Sequence, residues 1–385
     1  MTGLFTNTIA ESTSGSGITF SNDIVPATPL SHRNMIINGA MQIWQRGTSE
    51  VTISNGSNEG YTTVDRFKQD FGNSCAGAVK WSRATEVPDL SGSDMFTYSL
   101  KVQTSTANSS PDTSKLATID YRVEAHDMQR FGWGKTNKKN AVLSFYLKTS
   151  KTGVYSWYFQ SPGTGTARHR MISFSVSDTN WKRYSIPLSA DTVAITDANT
   201  EGLQIRLNLI RSPSNEYSSG TDSGWGTTIY YNDDDQVNFL DNTSNILYLT
   251  GMQFEIGNLA TPFEYRNYGE ELARCQRYYQ NSYRQNAESP TKYPYEQPQD
   301  QDGKYNTSWS DGNCTGPTFT VAMRTQPTVI LKSFGSNSTG KCTSNGSEVT
   351  CSATSFNHQH VSHLSVGSST SGAYVHAAWE ANAEL

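Results

Sequence analysis

The stretch LQIRLNLIR, residues 203–211, decides the fold class. Leu203, Ile205, Leu207 and Leu209 fall on one parity; Gln204, Arg206 and Asn208 fall on the other. Successive side chains of a strand point to opposite faces, so this alternation predicts an antiparallel sheet with one apolar and one wet face. Similar runs lie on either side of it. AVLSFYLKTS (141–150), VYSWYFQS (154–161) and MISFSVSD (171–178) recur at sandwich spacing, separated by Gly, Asn, Asp and Pro. No repeat of fixed period accompanies them.

At 385 residues the chain exceeds one ordinary sandwich, which predicts two or three modules. Hydrophobic residues make up only 35%, and the shortfall is Ser, Thr, Asn and Gly, not charge. With 8 Trp, 20 Tyr and 15 Phe the chain is too aromatic for a disordered one. Thin cores with wide polar surfaces are expected. The net charge of −5 and the lack of a long basic run argue against nucleic acid, and Lys135–Lys139 reads as a solvated loop. No apolar run reaches bilayer length, so no membrane insertion is expected. The start, MTGLFTNTIAESTSG, has the pattern of no signal peptide. The expectation is a protein made in a cytosol and kept there unless something else carries it out.

The five Cys (75, 275, 314, 342 and 351) are too scattered for a disulfide framework. If Asn345-Gly346 turns a hairpin, Cys342 faces Glu348 or Val349 and not Cys351.

Residues 1–31 read as a polar arm that includes STSGSG. A sandwich is expected over 32–266. Its first runs, in MIINGAMQIWQRG, are joined at Asn38-Gly39. Its last strand starts at Leu247 and Leu249; past Gly251 the apolar positions Met252, Phe254 and Ile256 switch parity, which predicts a bulge or a strand buried on both faces. A short helix is predicted over 267–280, capped by Asn267, with Glu270 and Arg274 four apart and a stripe of Leu272, Cys275 and Tyr279. Three turns are too few to be stable alone, so the helix reads as a clamp between modules. Residues 281–385 form a C-terminal β-domain.

NMIINGAMQIWQRG (34–47), YTTVDRF (61–67), LTGMQFEIGNLATPFEYRNYGEELARCQRYYQ (249–280), AMRTQPTVIL (322–331) and the final AEL together resemble a family of bacteriophage tail-fibre or minor virion proteins. The resemblance covers roughly 32–385. It implies a jelly-roll β-sandwich similar to carbohydrate-binding modules, a linker helix and a small C-terminal β-sandwich, hence an all-β chain. It implies further that the 1–31 arm anchors to other virion proteins, that the assembly is a homotrimer, and that the protein belongs to a virion assembled in the host bacterial cytoplasm. Ala40, Met41 and Gln42 follow Asn38-Gly39, where sugar-binding jelly rolls often carry an acidic residue near a structural calcium; no cofactor is expected.

No catalytic constellation is visible. GWGKT (132–136) lacks the first glycine of a phosphate loop, since position 129 is Gln. Asp233, Asp234 and Asp235 lack EF-hand spacing and read as a solvated acidic loop. His358 and His360 share a face if they lie on a strand; around a three-fold axis such a pair suits a transition metal, but surface histidines are the simpler reading. The strongest binding signal is the polar loop SSGTDSGWGTTIYYNDDD (218–235), with Trp225, Tyr230 and Tyr231 as candidate glycan contacts. The alternative is that the tyrosines belong to a strand and Trp225 plugs the sandwich. Tyr293, Tyr295, Tyr305 and Trp309 form a second aromatic candidate, suited equally to subunit packing. The expected function is a non-enzymatic tail fibre that displays a face for a host-surface glycan or protein. A capsid decoration or head fibre held by its arm, or a polysaccharide depolymerase, is the alternative.

Overall fold

The computed structural model describes residues 31–72, 75–89, 95–111, 116–211, 219–220, 222, 224–282, 313–314, 318–333, 336, 338–344, 347–366 and 375–385. All but the last residue of the expected arm lies outside them. So do Tyr293, Tyr295, Tyr305 and Trp309.

The chain is an all-β sandwich protein. Its strands begin with β1 (Val51–Ser54), β2 (Phe67–Gly72), β3 (Ala78–Ala84), β4 (Ser99–Thr106) and β5 (Leu116–Glu124). A single helical turn, α1 (Ala125–Met128), leads on to β6 (Ala141–Thr149), β7 (Gly153–Ser161), β8 (Arg168–Val176), β9 (Lys182–Leu188) and β10 (Glu201–Asn208). Two short strands, β11 (Ser219–Gly220) and β12 (Asn232–Asp233), precede the long β13 (Ile246–Ile256). One sheet has the order β1-β3-β4-β13-β6-β9, the other β2-β5-β10-β7-β8, and the pairs within both are antiparallel. Between them lies one core, to which β7 contributes Tyr155, Trp157 and Phe159 and β10 contributes Leu203, Ile205 and Leu207. Phe145 of the first sheet meets Trp157 of the second edge-on, with ring centroids 5.0 Å apart.

The parity switch at Gly251 is a bulge. The β13–β6 register shifts between Thr250 and Gln253, and Gly251 has φ +61. A side chain there would run into the rings of Phe96 and Tyr146, so the position requires glycine twice over. β13 lies between β4 and β6, inside the sheet.

The helix α2 spans Tyr268–Gln276, shorter than the range expected. Asn267 caps it by accepting from the Glu270 amide at 2.9 Å, and Glu270 pairs with Arg274. The chain then turns into β14 (Tyr279–Asn281), so the apolar stripe ends on Tyr278 and not on Tyr279. Leu272, Cys275 and Tyr278 pack against Ile37 and Ile43 of the sandwich.

The remaining strands are β15 (Asn313–Cys314), β16 (Thr328–Lys332), β17 (Lys341–Ser344), β18 (Ser347–Phe356), β19 (Val361–Val366), β20 (Val375–His376) and β21 (Ala378–Asn382). They form the sheets β14-β21-β16 and β15-β19-β18-β17-β20. Phe319, Met323, Leu331, Cys342, Cys351 and Trp379 supply their separate small core. Cys342 lies opposite Val349, one of the two partners the hairpin reading allows, and Cys342 and Cys351 form no disulfide. No helix among the described residues is long and apolar enough to cross a membrane.

The segments that carry the family resemblance converge on the seam between the two cores. Asn38 stands at φ +62 in the turn, and its side chain makes four hydrogen bonds, to Ile43 O, Asp65 O and the amides of Gln42 and Ile43. Glu271 of α2 accepts from the Asn38 amide and from Arg266. Beside them Arg46 bonds Asp65 at 2.7 Å and Glu384 at 3.1 Å, and Arg66 bonds the same Glu384. The two guanidiniums lie over the rings of Tyr279 and Tyr278, at 3.7 and 3.4 Å from the centroids. Burial pushes the Asp65 carboxyl up to about 6, with Arg46 opposing. Arg324 donates to the carbonyls of Ala383, Glu384 and Asn199, tying the second core to the first.

A fork from Arg277 to Glu124 spans the same seam, with both contacts at 3.0 Å. Burial alone would raise the Glu124 carboxyl, but Arg277 and Tyr278 hold it below its ordinary 4.5. A depressed carboxylate contributes stability that is present above its unfolded pKa and lost as pH falls through the folded value. The stability gap between the native chain and Glu124→Gln should therefore be full at neutral pH and close as pH drops below 4.5. Urea unfolding at a series of pH values measures it; a gap that persists unchanged in acid would mean the fork is energetically idle.

Candidate functional site

The outer face of β10 departs from the sequence expectation. Gln204, Arg206 and Asn208 were to point into water, yet they are 3%, 8% and 1% exposed. The reason is long-range: the segment through β12 crosses this face. Val237 N bonds Val154 O at 2.9 Å, the Gln236 side-chain Nε2 donates to Asn208 O at 3.2 Å, and the Asn208 side chain donates to Tyr231 O. Ile229 and Tyr231 form a small apolar cluster with Tyr158 and Leu116. The result is a polar sheet face with a partial roof.

Register places the floor residues. Tyr158 of β7 is opposite Arg206 of β10, and Arg206 is opposite Asp120 of β5, which is opposite Lys68 of β2. Arg206 Nε donates to Asp120 at 2.8 Å and a terminal nitrogen to Asp70 at 3.2 Å, while Thr118 Oγ1 bonds the other Asp120 oxygen at 2.5 Å. Burial works against the Arg206 charge, but Asp120 and Asp70 hold its pKa above the ordinary arginine value. The Tyr158 ring stacks on Tyr231 with centroids 4.3 Å apart, and its hydroxyl lies 2.5 Å from His169 Nδ1. Burial keeps the Tyr158 phenol well above its usual range and, with Arg168 nearby, keeps His169 below its own. Two carboxamide oxygens under the roof, Asn208 Oδ1 and Asn232 Oδ1, have no donor among the described residues. Lys68, Asp70, Arg122, Gln160 and Glu201 line the open rim, half-buried.

Of the sequence candidates, Tyr231 is part of this roof and 8% exposed. Tyr230 is half-buried and packs alongside Gly220, where an added Cβ would meet its ring at 2.4 Å. Trp225 is half-buried against the main core, edge-on to Trp133 at 5.2 Å, with its indole N–H on Ser189 O at 2.7 Å. Gly226 pairs with His169 through both backbone bonds, and Arg168 holds both Trp225 O and Asp191. Trp225 thus fastens the base of the roof to edge strand β8. Tyr158, His169, Arg206 and Asp120 were missed by the sequence reading. A signal for the first and third did exist, in the outward parity of VYSWYFQS and LQIRLNLIR.

His358 and His360 are not on a strand. They sit in a tight turn in which Asn357 Oδ1 accepts from the amides of Gln359 and His360, so the strand argument for a shared face does not hold. Asp233 Oδ1 caps its own turn through the Asp235 amide, and Asp234 lies 4.0 Å from Arg211. Among the described residues no cluster of three His, Cys, Asp or Glu side chains is placed to hold a metal ion. Trp133 of the GWGKT stretch is buried in the core.

No protein-family model matches the chain, and no curated protein does. Solved structures that resemble it include the enzymatically active domain of tailspike protein 4 of bacteriophage CBA120, at 12% identity and TM-score 0.31, covering 58% of this chain and 21% of that one. The family 11 carbohydrate-binding module of a Clostridium thermocellum cellulosomal cellulase aligns at 13% identity and TM-score 0.27, over 56% of this chain and 99% of the module. The CBM22-1 xylan-binding domain from Paenibacillus barcinonensis Xyn10C aligns at 12% identity and TM-score 0.26, over 56% of this chain and 99% of the domain. All three likenesses are distant.

Proposed function

We propose that this chain is a non-enzymatic phage virion component, a tail fibre, whose sandwich presents a glycan-binding face on β2-β5-β10-β7-β8. The observation that carries the binding half is the roofed sheet face. It sets the half-buried Lys68, Asp70 and Gln160 along a rim above the fixed Arg206–Asp120 pair, an alternation of donors and acceptors. A saccharide needs paired donors and acceptors for its hydroxyls, which this rim supplies side by side. The virion half rests on the resemblance of 32–385 to tail-fibre and minor virion proteins. On this reading the arm attaches to other virion proteins, the chains form a homotrimer, and many weak sites act together on one particle.

The experiment is binding of the purified protein to host surface polysaccharide by affinity electrophoresis. The paired rim variant Lys68→Gln, Asp70→Asn should weaken binding by about tenfold or more, the loss of one or two charge-assisted hydrogen bonds. Its unfolding temperature should stay close to native, since Arg206 keeps Asp120. Undiminished binding by this variant would remove the face from consideration. Release of reducing ends from the same polysaccharide would replace the fibre reading with the depolymerase one. Density on the capsid faces in particle images would favour the head-fibre alternative.

A further inference from the structure

The opposite face of the sandwich carries a second aromatic–basic row that the roofed site does not use. On the outer side of the six-stranded sheet, Ser82 lies opposite Lys101, Lys101 opposite Tyr248, and Tyr248 opposite Lys148. Trp181 precedes Lys182, which pairs with Leu147, and so extends the row at the β9 edge. The flanking positions Trp81, Val102, Leu247 and Leu147 all enter the core, which leaves the row itself on the outer face, each member half-buried.

Trp181 is held in place. Its indole N–H donates to Glu86 at 3.1 Å, and the same carboxylate oxygen takes Lys148 Nζ at 2.8 Å. These contacts hold the Glu86 carboxyl below its ordinary value, with the Lys148 hydrogen bond the largest cause. Trp181 and Tyr248 lie 6.2 Å apart with their planes at 47°, two angled walls rather than one flat stack. Lys148 is thus neutralised by Glu86, and Lys80 on the same face pairs with Glu50 at 2.6 Å. Lys101 forms no ion pair among the described residues, although its neighbour across the strand is the Tyr248 ring.

An ammonium with no carboxylate partner among the described residues, beside an aromatic plane, fits a sugar ring that carries its own carboxylate. On this row the ring's C–H face would lie on Tyr248 and its carboxylate would meet Lys101, with polar groups at Ser82 and Glu86 on either side. Neutral hexoses would leave Lys101 unanswered, and a purely anionic ligand without an apolar face would leave Tyr248 and Trp181 idle. We propose that this row is a second binding surface, specific for a uronic-acid unit of an acidic polysaccharide. It is independent of the roofed site, because no residue is shared and the two lie on different sheets.

The test uses the full chain and oligogalacturonate, with its carboxyl-reduced counterpart as the neutral probe, both followed by calorimetry. The acidic oligomer should bind, and the reduced one should bind about tenfold more weakly or worse, the worth of a charge-assisted hydrogen bond. Tyr248→Ala and Lys101→Gln should each weaken the acidic oligomer by about the same factor, while the rim variant Lys68→Gln, Asp70→Asn should leave this binding intact. Equal affinity for both oligomers, absence of binding, or indifference to both substitutions overturns the proposal. Light scattering of the same variants separates the remaining case. If Tyr248→Ala changes the oligomer's mass without changing oligogalacturonate affinity, the row is an interface between copies and the proposal fails. Because Tyr248 and Lys101 are half-exposed, thermal unfolding of the variants should track the native chain, and loss of binding then reports on contact rather than on folding.

Discussion

Replacing Glu384 with alanine is expected to cost about 3–5 kcal/mol of stability, the typical price of stranding a buried charge. Glu384 bridges Arg46 and Arg66, and the side chains of all three are at most 6% exposed. Arg46 keeps Asp65 at 2.7 Å when Glu384 is removed. Arg66 keeps the Arg122 carbonyl at 2.8 Å and the rings of Tyr278 and Tyr121, so among the described residues its buried guanidinium is left with no carboxylate bonded to it, Glu124 being held by Arg277. Burial opposes that charge in the native state as well, and Glu384 is the first group that offsets it. The double variant Arg66→Met, Glu384→Leu should recover much of the loss, because a well-packed apolar pair needs no desolvation of charge. Urea unfolding followed by tryptophan fluorescence reads both. A single-variant cost under about 1 kcal/mol would mean that water reaches Arg66 and that the seam is wet.

Asn38→Ala is expected to be nearly as damaging, at roughly 4 kcal/mol. Two costs add. The residue sits at φ +62, a conformation that asparagine tolerates and alanine resists by about 1 kcal/mol or more. Its amide also satisfies four backbone groups at 2.8–3.0 Å, and each that is orphaned in a buried turn costs about 1–3 kcal/mol unless water replaces it. Asn38→Gly removes the backbone part alone, so its difference from alanine isolates the strain. The neighbouring Gly39 cannot compensate, because a Cβ there would stand 2.1 Å from Met252 O. If Asn38→Ala unfolds within about 1 kcal/mol of native, the turn is not the keystone of the seam that its contacts imply.

Much of the architecture is local information. Alternation in 203–211 and 154–161 places the core residues, because a strand's period of two is a property of the backbone. The parity switch at Gly251 points, for the same reason, to a bulge or a strand buried on both faces, and β13 shows both. The cap at Asn267 and the Glu270–Arg274 pair are contained within one helical turn. The spacing about Asn345-Gly346 narrows the partner of Cys342 to Glu348 or Val349, and it is Val349. Where local logic stopped, the reading erred by small amounts: the helix ends at Gln276 because Tyr279 is taken by β21, a partner a hundred residues away.

The site was less legible. Parity shows that Arg206 and Tyr158 leave the core, but not that a segment thirty residues downstream crosses over them. The wet face became a roofed one because Tyr231, Gln236 and Val237 find partners on β7 and β10. Trp225 looked like a free contact in the sequence because its loop is polar, yet Trp133 and Ser189, distant in the chain, hold it. The Arg46–Asp65–Arg66–Glu384 cluster is invisible in one dimension, since its members come from three separate segments. Periodicity and turn chemistry depend on the nearest few residues and so can be read from the chain itself. Burial of charge, the roofing of a sheet and the meeting of its far segments are settled by packing between residues that the sequence leaves far apart.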